Sequence, residues 1–221
     1  MKKIGIMGGT FNPVHNAHLV LAECSYEQFG LDTVWFMPSK NPPHKCGKNI
    51  ESQEHRSNMI KRGIEDNPHF QFSDFELRRQ GLTYTVDTLT MLSSMYDDTT
   101  FYFIMGEDSL FALETWKKPD QLFKLAKIII ARRGFHDNNL IMDRIEYLEN
   151  KYQTNDINLL ESPISNLSSE LIRKSIKEGK SIKYYVPQKV EEYIYQNKLY
   201  VDDRSSNGLI KIAEQSKRKT Y

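Results

Sequence analysis

Cysteine is scarce in this chain: Cys24 and Cys46 are the only two among 221 residues. That is too few for a disulfide framework or a cysteine-built zinc site, and both read as reduced cytosolic thiols. Net charge is scarce too, with 30 Lys and Arg against 29 Asp and Glu. Attraction for an anion must therefore come from local clustering of basic groups, which disfavours a general nucleic-acid binder. No apolar stretch approaches the ~18–20 residues of a membrane span. The N-terminal apolar run, Ile4 to Met7, is too short for a secretory signal. Internal repeats and low-complexity tracts are missing. These absences predict a soluble, cytoplasmic protein that engages neither membrane nor nucleic acid.

What is present is enough apolar material, 39% of residues, for one full core. Lys2–Met7 reads as a short buried strand. Leu19, Ala22, Tyr26 and Phe29 then recur at helical spacing over His15–Phe29, up to Gly30. Strands follow at Thr33–Met37, His69–Phe75, Thr100–Met105, Lys127–Ala131 and Ile157–Leu160. Helices are predicted at Ser52–Asp66, Tyr84–Tyr96, Asp108–Leu113, Pro119–Leu125, Asn139–Lys151, Ser168–Lys177 and Gln188–Leu199. Between the second strand and its helix, PSKNPPHKCGKN is rich in proline and lysine and must be a loop. Alternating strands and helices predict an α/β fold, a doubly wound and mainly parallel sheet with helices on both faces. Residues 1–200 form one domain in this reading and 201–221 a polar tail, either loosely ordered or a short docking helix through Leu209, Ile212 and Ala213.

Chemistry concentrates at the first strand-to-helix turn, GGTFNPVHNAH, Gly8 to His18. Ligands of open α/β sheets bind where strands turn into helices, and backbone N–H groups at a helix start form an anion site. The stretch is neither a P-loop nor GxGxxG. His15 and His18, three residues apart, share one helical face and can reach one ligand. From the residues alone, phosphate contact, ordinary core or surface histidines, and a metal site all stay open, although local partner ligands for a metal are lacking. A second constellation is NLSSELIRKS. Ser168 and Ser169 open a helix whose first N–H groups are unpaired, and Arg173 projects a turn later. Hydroxyls with a guanidinium fork suit a polyphosphate, and equally an ordinary cap followed by a surface arginine.

GGTFNPVHNAH resembles the GGTF(D/N)PxHxGH signature of the nucleotidyltransferase superfamily with paired histidines, and LSSELIR resembles its ISSTxIR motif. With PSKNPPHK, TYTVDTL, GEDSLFALETW and IIIARRG, the resemblance narrows to the bacterial nicotinate-nucleotide adenylyltransferases, from Lys2 to about Tyr200. It implies a Rossmann-like fold and transfer of the adenylyl group of ATP to nicotinate mononucleotide, giving deamido-NAD and pyrophosphate in NAD biosynthesis. It further implies ATP contacts by Gly8, Gly9, Thr10, Phe11, His15, His18, Gly106, Asp108, Ser168, Ser169 and Arg173, with His15, His18 and Arg173 catalytic. Asn12, Lys45, Thr85, Asp108, Trp116 and Arg133 would meet the mononucleotide, with Trp116 stacked on its pyridine ring. Mg²⁺ would ride on the phosphates without a dedicated protein cage. Ala17 departs from the usual glycine, and Glu170 from the usual threonine, which puts a phosphate contact at position 170 in doubt. Homo-oligomerisation is compatible with the sequence, which carries no mark of it.

Overall fold

A computed structural model describes residues 1–40 and 50–201. The expected contact Lys45, most of the loop 38–49, and the tail from residue 202 lie outside the described residues. Six strands build the sheet: β1 (Lys2–Gly9), β2 (Thr33–Pro38), β3 (Phe70–Phe72), β4 (Thr99–Gly106), β5 (Lys127–Ala131) and β6 (Ile157–Leu159). Their order is β3-β2-β1-β4-β5-β6, and every neighbouring pair is parallel. Parallel neighbours need crossovers, supplied by α1 (Asn16–Phe29), α2 (Gln53–Ile64), α3 (Thr85–Met95), α4 (Glu107–Ala112), α5 (Pro119–Leu125) and α6 (Asn138–Tyr152). Two further helices, α7 (Ser169–Lys177) and α8 (Gln188–Gln196), follow β6. Among the described residues no helix is long and apolar enough to cross a membrane.

Strand side chains alternate between two cores because successive Cβ atoms point to opposite faces. Phe101, Phe103 and Met105 of β4, with Ile128 and Ile130 of β5, pack against Leu89 of α3, Leu122 of α5 and Ile145 of α6. Tyr102, Ile104 and Ile129 face the other way, onto Ala22 of α1, Met59 and Ile60 of α2, Ile172 of α7 and Val190 of α8. Covering both faces explains why the inner strands read as near-continuous apolar runs. Each fully buried aliphatic or aromatic side chain contributes about 1.5–3 kcal/mol.

Boundaries moved where backbone geometry intervened. Gly30 ends α1 in the left-handed conformation, φ 56°, as the sequence anticipates. The edge strand β3 is shorter than His69–Phe75, because its ladder pairs only Val34 to Phe36 with Phe70 to Phe72. Helix α8 stops at Gln196, short of Leu199, because Lys198 and Tyr200 take positive φ of 50° and 64° and turn the chain back. That reversal sends Tyr200 into the protein, toward the carboxyl end of β1.

Candidate active site

The chain leaves β1 toward β2 on one side and reaches β4 on the other, so the carboxyl ends of β1 and β4 flank the crevice where open α/β sheets bind ligands. The segment Gly9–Val14 crosses this point. Its carbonyls are held from the protein side. The backbone N–H of Ser39 donates to Gly9 O (2.9 Å), Arg56 Nη1 to Thr10 O (2.8 Å), Arg173 Nη1 to Asn12 O (2.7 Å) and Ser169 Oγ to Pro13 O (2.8 Å). Asn12, expected among the substrate contacts, is only 4% exposed. Its Oδ1 accepts from the N–H of Glu51 (3.2 Å) and from Tyr200 Oη (3.0 Å), so this side chain braces the loop. Phe11, expected beside ATP, takes φ 50° and turns its ring inward against Phe36 and His18. A Cβ on Gly9 would stand 3.3 Å from that ring, which explains the glycine.

His15 is the N-cap of α1, with an extended backbone (φ −149°), and His18 stands one turn on. Their rings stack, centroids 3.7 Å apart. The backbone N–H of His15 donates to His18 Nδ1 (3.2 Å). While Nδ1 accepts that bond, the His18 ring proton sits on Nε2, the far nitrogen, as a donor. His15 is 3% exposed, and burial, aided by the Arg133 guanidinium, pushes its pKa down to about 3. One ring of the pair is therefore neutral at physiological pH, which lets two imidazoles stack without mutual repulsion.

Across the crevice, β4 ends at Gly106 and α4 begins. A Cβ at Gly106 would lie 3.2 Å from Arg133 Nε, so the glycine admits this guanidinium beside β4. Arg133 Nη1 also meets exposed Asp108 (3.4 Å). Beneath them is a residue the sequence reading missed. Glu107 is 0% exposed, yet Oε1 accepts from the N–H of Phe135 (2.7 Å) and faces His136 Nδ1 at 3.6 Å. Burial opposes its charge, but the N–H groups of Arg133 and Phe135 and the His136 ring outweigh that and hold its pKa below the ordinary carboxylate value. It ties the loop after β5 to the start of α4.

Thr85 opens α3, half-buried, and Trp116 follows a 3-10 turn at Leu113–Thr115. Lys117 connects them, reaching Asp87 of α3 (2.8 Å) and lying over the Tyr84 ring. Trp116 packs edge-on to Phe103, centroids 6.2 Å apart, and a Cβ on Gly8 would touch that same Phe103 ring at 3.3 Å. Phe103 thus packs between the tryptophan and Gly8. On the other side, Ser168 caps α7, its hydroxyl accepting from the N–H of Leu171 (3.1 Å). The fold brings the described members of the expected set to one end of the sheet. Arg56 and Tyr200 belong to that end as well and were not anticipated.

A family profile described as cytidylyltransferase-like matches residues 6–175. Proteins named probable nicotinate-nucleotide adenylyltransferase are similar over nearly the whole chain. The one from Lachnoclostridium phytofermentans is 46% identical over 91% of this chain and 100% of its own length, and the one from Clostridium acetobutylicum is 42% identical over the same shares. Among solved structures, the nicotinic acid mononucleotide adenylyltransferase of Plasmodium falciparum complexed with NaAD superposes with a TM-score of 0.73 at 24% identity. That alignment covers 90% of this chain and 98% of the other.

Proposed function

The chain belongs to the cytidylyltransferase-like family and, within it, to the nicotinate-nucleotide adenylyltransferases, and from that premise we propose that it makes deamido-NAD and pyrophosphate from ATP and nicotinate mononucleotide. The observation that carries the reading is the stacked histidine pair at the carboxyl end of β1, in which His18 keeps Nε2–H as a donor beside a neutral His15.

In the reaction, a phosphate oxygen of the mononucleotide attacks the α-phosphorus of ATP. The new P–O bond forms as the bond from Pα to the bridging oxygen of the β-phosphate breaks, and pyrophosphate carries that electron pair away. No covalent enzyme intermediate is required. Such transfers depend on positioning and on stabilising charge at non-bridging and leaving oxygens. His18 Nε2–H donates to a non-bridging oxygen of the α-phosphate, while His15, with Gly8, Gly9 and Thr10, lines the phosphates. Arg173 holds Asn12 O through one nitrogen and keeps other N–H groups for the β- and γ-phosphates. Ser168 accepts from the helix backbone, which leaves its O–H proton free to donate. Ser169 would trade its bond to Pro13 O for a phosphate oxygen.

The acceptor nucleotide takes the other half of the crevice. Trp116 stacks on the pyridine ring, and Thr85 with the backbone near Trp116 meets the nicotinate carboxylate. Arg133, with Lys45, receives the mononucleotide phosphate, and Asp108 accepts from ribose hydroxyls. Mg²⁺ would arrive on the triphosphate with its waters, as a hard ion that uses few protein ligands. Bound there, it would supply positive charge against the phosphate oxygens.

The test is purified protein with ATP and Mg²⁺ and, in turn, nicotinate mononucleotide, its amide analogue and phosphopantetheine, with pyrophosphate release as readout. Release with nicotinate mononucleotide well above the other two is expected. No release with either pyridine nucleotide refutes the proposal.

A further inference from the structure

Helix α2 carries the least accessible guanidinium of the described chain. Arg56 is 2% exposed, and among the described residues no carboxylate lies within ion-pairing distance of it. Its bonds go to backbone carbonyls instead, from Nη1 to Thr10 O (2.8 Å) and from Nε to Glu51 O (3.2 Å). A buried charge is costly, and one without a counter-ion persists only where other interactions support it. On an amphipathic helix whose inward neighbours are Met59 and Ile60, a leucine or methionine would fill the same place.

What the guanidinium does there follows from peptide geometry. In a planar trans peptide the carbonyl of one residue and the N–H of the next point in opposite directions. Thr10–Phe11 is trans. With Thr10 O drawn down onto Arg56, the N–H of Phe11 is turned away from the protein interior, toward the crevice. The Ser39 bond to Gly9 O does the same for the N–H of Thr10. Among the described residues neither N–H has an acceptor. Phe11 sits at φ 50°, a conformation that an L-residue holds only under constraint, and the Arg56 bond to the carbonyl just before it supplies one.

Resting on the adenylyl-transfer reading, we infer that Arg56 is a positioning residue for the triphosphate: it sets the Thr10–Phe11 peptide so that the Phe11 N–H faces an ATP phosphate, and its positive charge, which no described carboxylate pairs, lies beneath that phosphate. Arg173 does the neighbouring job on Asn12 O and is itself expected to touch the phosphates; Arg56, sealed under the loop, acts only through it. The predicted consequence is a defect in ATP handling that exceeds any loss of fold.

The experiment compares wild type with Arg56→Met and Arg56→Lys. Binding of the unreactive analogue adenosine 5′-(α,β-methylene)triphosphate is measured calorimetrically, together with thermal unfolding, kcat and KM for each substrate, and the Phe11 amide resonance in ¹⁵N spectra. Arg56→Met is expected to bind the analogue at least tenfold more weakly and to lose the analogue-induced shift of the Phe11 amide at temperatures where it is folded. Arg56→Lys, which restores charge and one donor, is expected to recover part of both. Analogue affinity within twofold of wild type in folded Arg56→Met, or an unaltered Phe11 shift, overturns the inference. Should Arg56→Met fail to fold, Arg56→Lys decides, with wild-type affinity and shift counting against it. Analogue binding needs no turnover, so a wild type that binds the analogue but makes no dinucleotide refutes the proposed reaction and not this role.

Discussion

The imidazole rings of His15 and His18 lie face to face, 3.7 Å between centroids and 29° between planes, and the backbone N–H of the first donates to Nδ1 of the second. One short sequence interval thus yields two chemically different histidines. His15 is buried and neutral, and His18 is half-buried, its Nδ1 taking the His15 N–H and its ring proton on Nε2. The division of roles between them follows from this asymmetry.

Replacing His18 by alanine removes the donor proposed for the α-phosphate. Loss of one such preorganised donor lowers kcat by roughly 10²–10³. Thermal unfolding should shift little, because the side chain is not sealed in the core. Steady-state kinetics beside a melting curve tests this, and an unchanged kcat takes His18 off the catalytic list.

The depressed pKa of His15 makes stability depend on pH in a known direction. Between the ordinary value of 6.5 and the folded value of about 3, the unfolded chain binds a proton that the folded chain refuses. Folding is therefore unaffected by this group above 6.5 and weakens as pH falls through that window, by about 1.4 kcal/mol per pH unit. At pH 5 the loss is on the order of 2 kcal/mol. Denaturant titrations at pH 7 and pH 5 should show His15→Gln losing less stability between the two than wild type does. Equal losses would mean that His15 titrates normally.

Glu107 binds the loop after β5 to α4 through a charged acceptor sealed from water. Glu107→Gln keeps the shape and removes the charge, which should cost about 1–3 kcal/mol. Arg133 loses its brace as well. The KM for nicotinate mononucleotide should rise while that for ATP holds, and identical rises in both would contradict a role confined to the acceptor side.

Trp116 meets Phe103 in a T-shaped contact and is proposed to stack on the pyridine ring. An aromatic pair is worth ~0.5–1.5 kcal/mol beyond area burial, so Trp116→Ala should raise the mononucleotide KM about threefold to tenfold, with kcat nearly constant. A fall in kcat at constant KM would assign the tryptophan to the chemistry instead.

Much of the architecture was legible from local pattern. Lys127–Ala131 and Pro119–Leu125 were read to the residue, because a buried β-branched run and a proline at the first helical turn are strong local signals. The end of α8 was not, since Lys198 and Tyr200 enter left-handed backbone without a glycine to announce it. At the site, the histidines and the serine-capped α7 were visible as motifs. Arg56 and Glu107 were not, because a single charged residue in a helical stretch reads as a solvated face, and only the tertiary fold shows it buried. The resemblance implies a substrate contact for Asn12; what the sequence does not show is that its side-chain oxygen is engaged by Glu51 and Tyr200, the latter 188 residues away in sequence. Long-range partners of that kind leave no local trace.

Attack on the α-phosphorus of ATP by the phosphate of nicotinate mononucleotide is read directly by isotopic labelling. With [α-³²P]ATP, Mg²⁺ and nicotinate mononucleotide, the label is expected in deamido-NAD and none in pyrophosphate, while [γ-³²P]ATP labels pyrophosphate alone. Label from the γ-position in the pyridine product, or from the α-position in a product that lacks the mononucleotide, would contradict it.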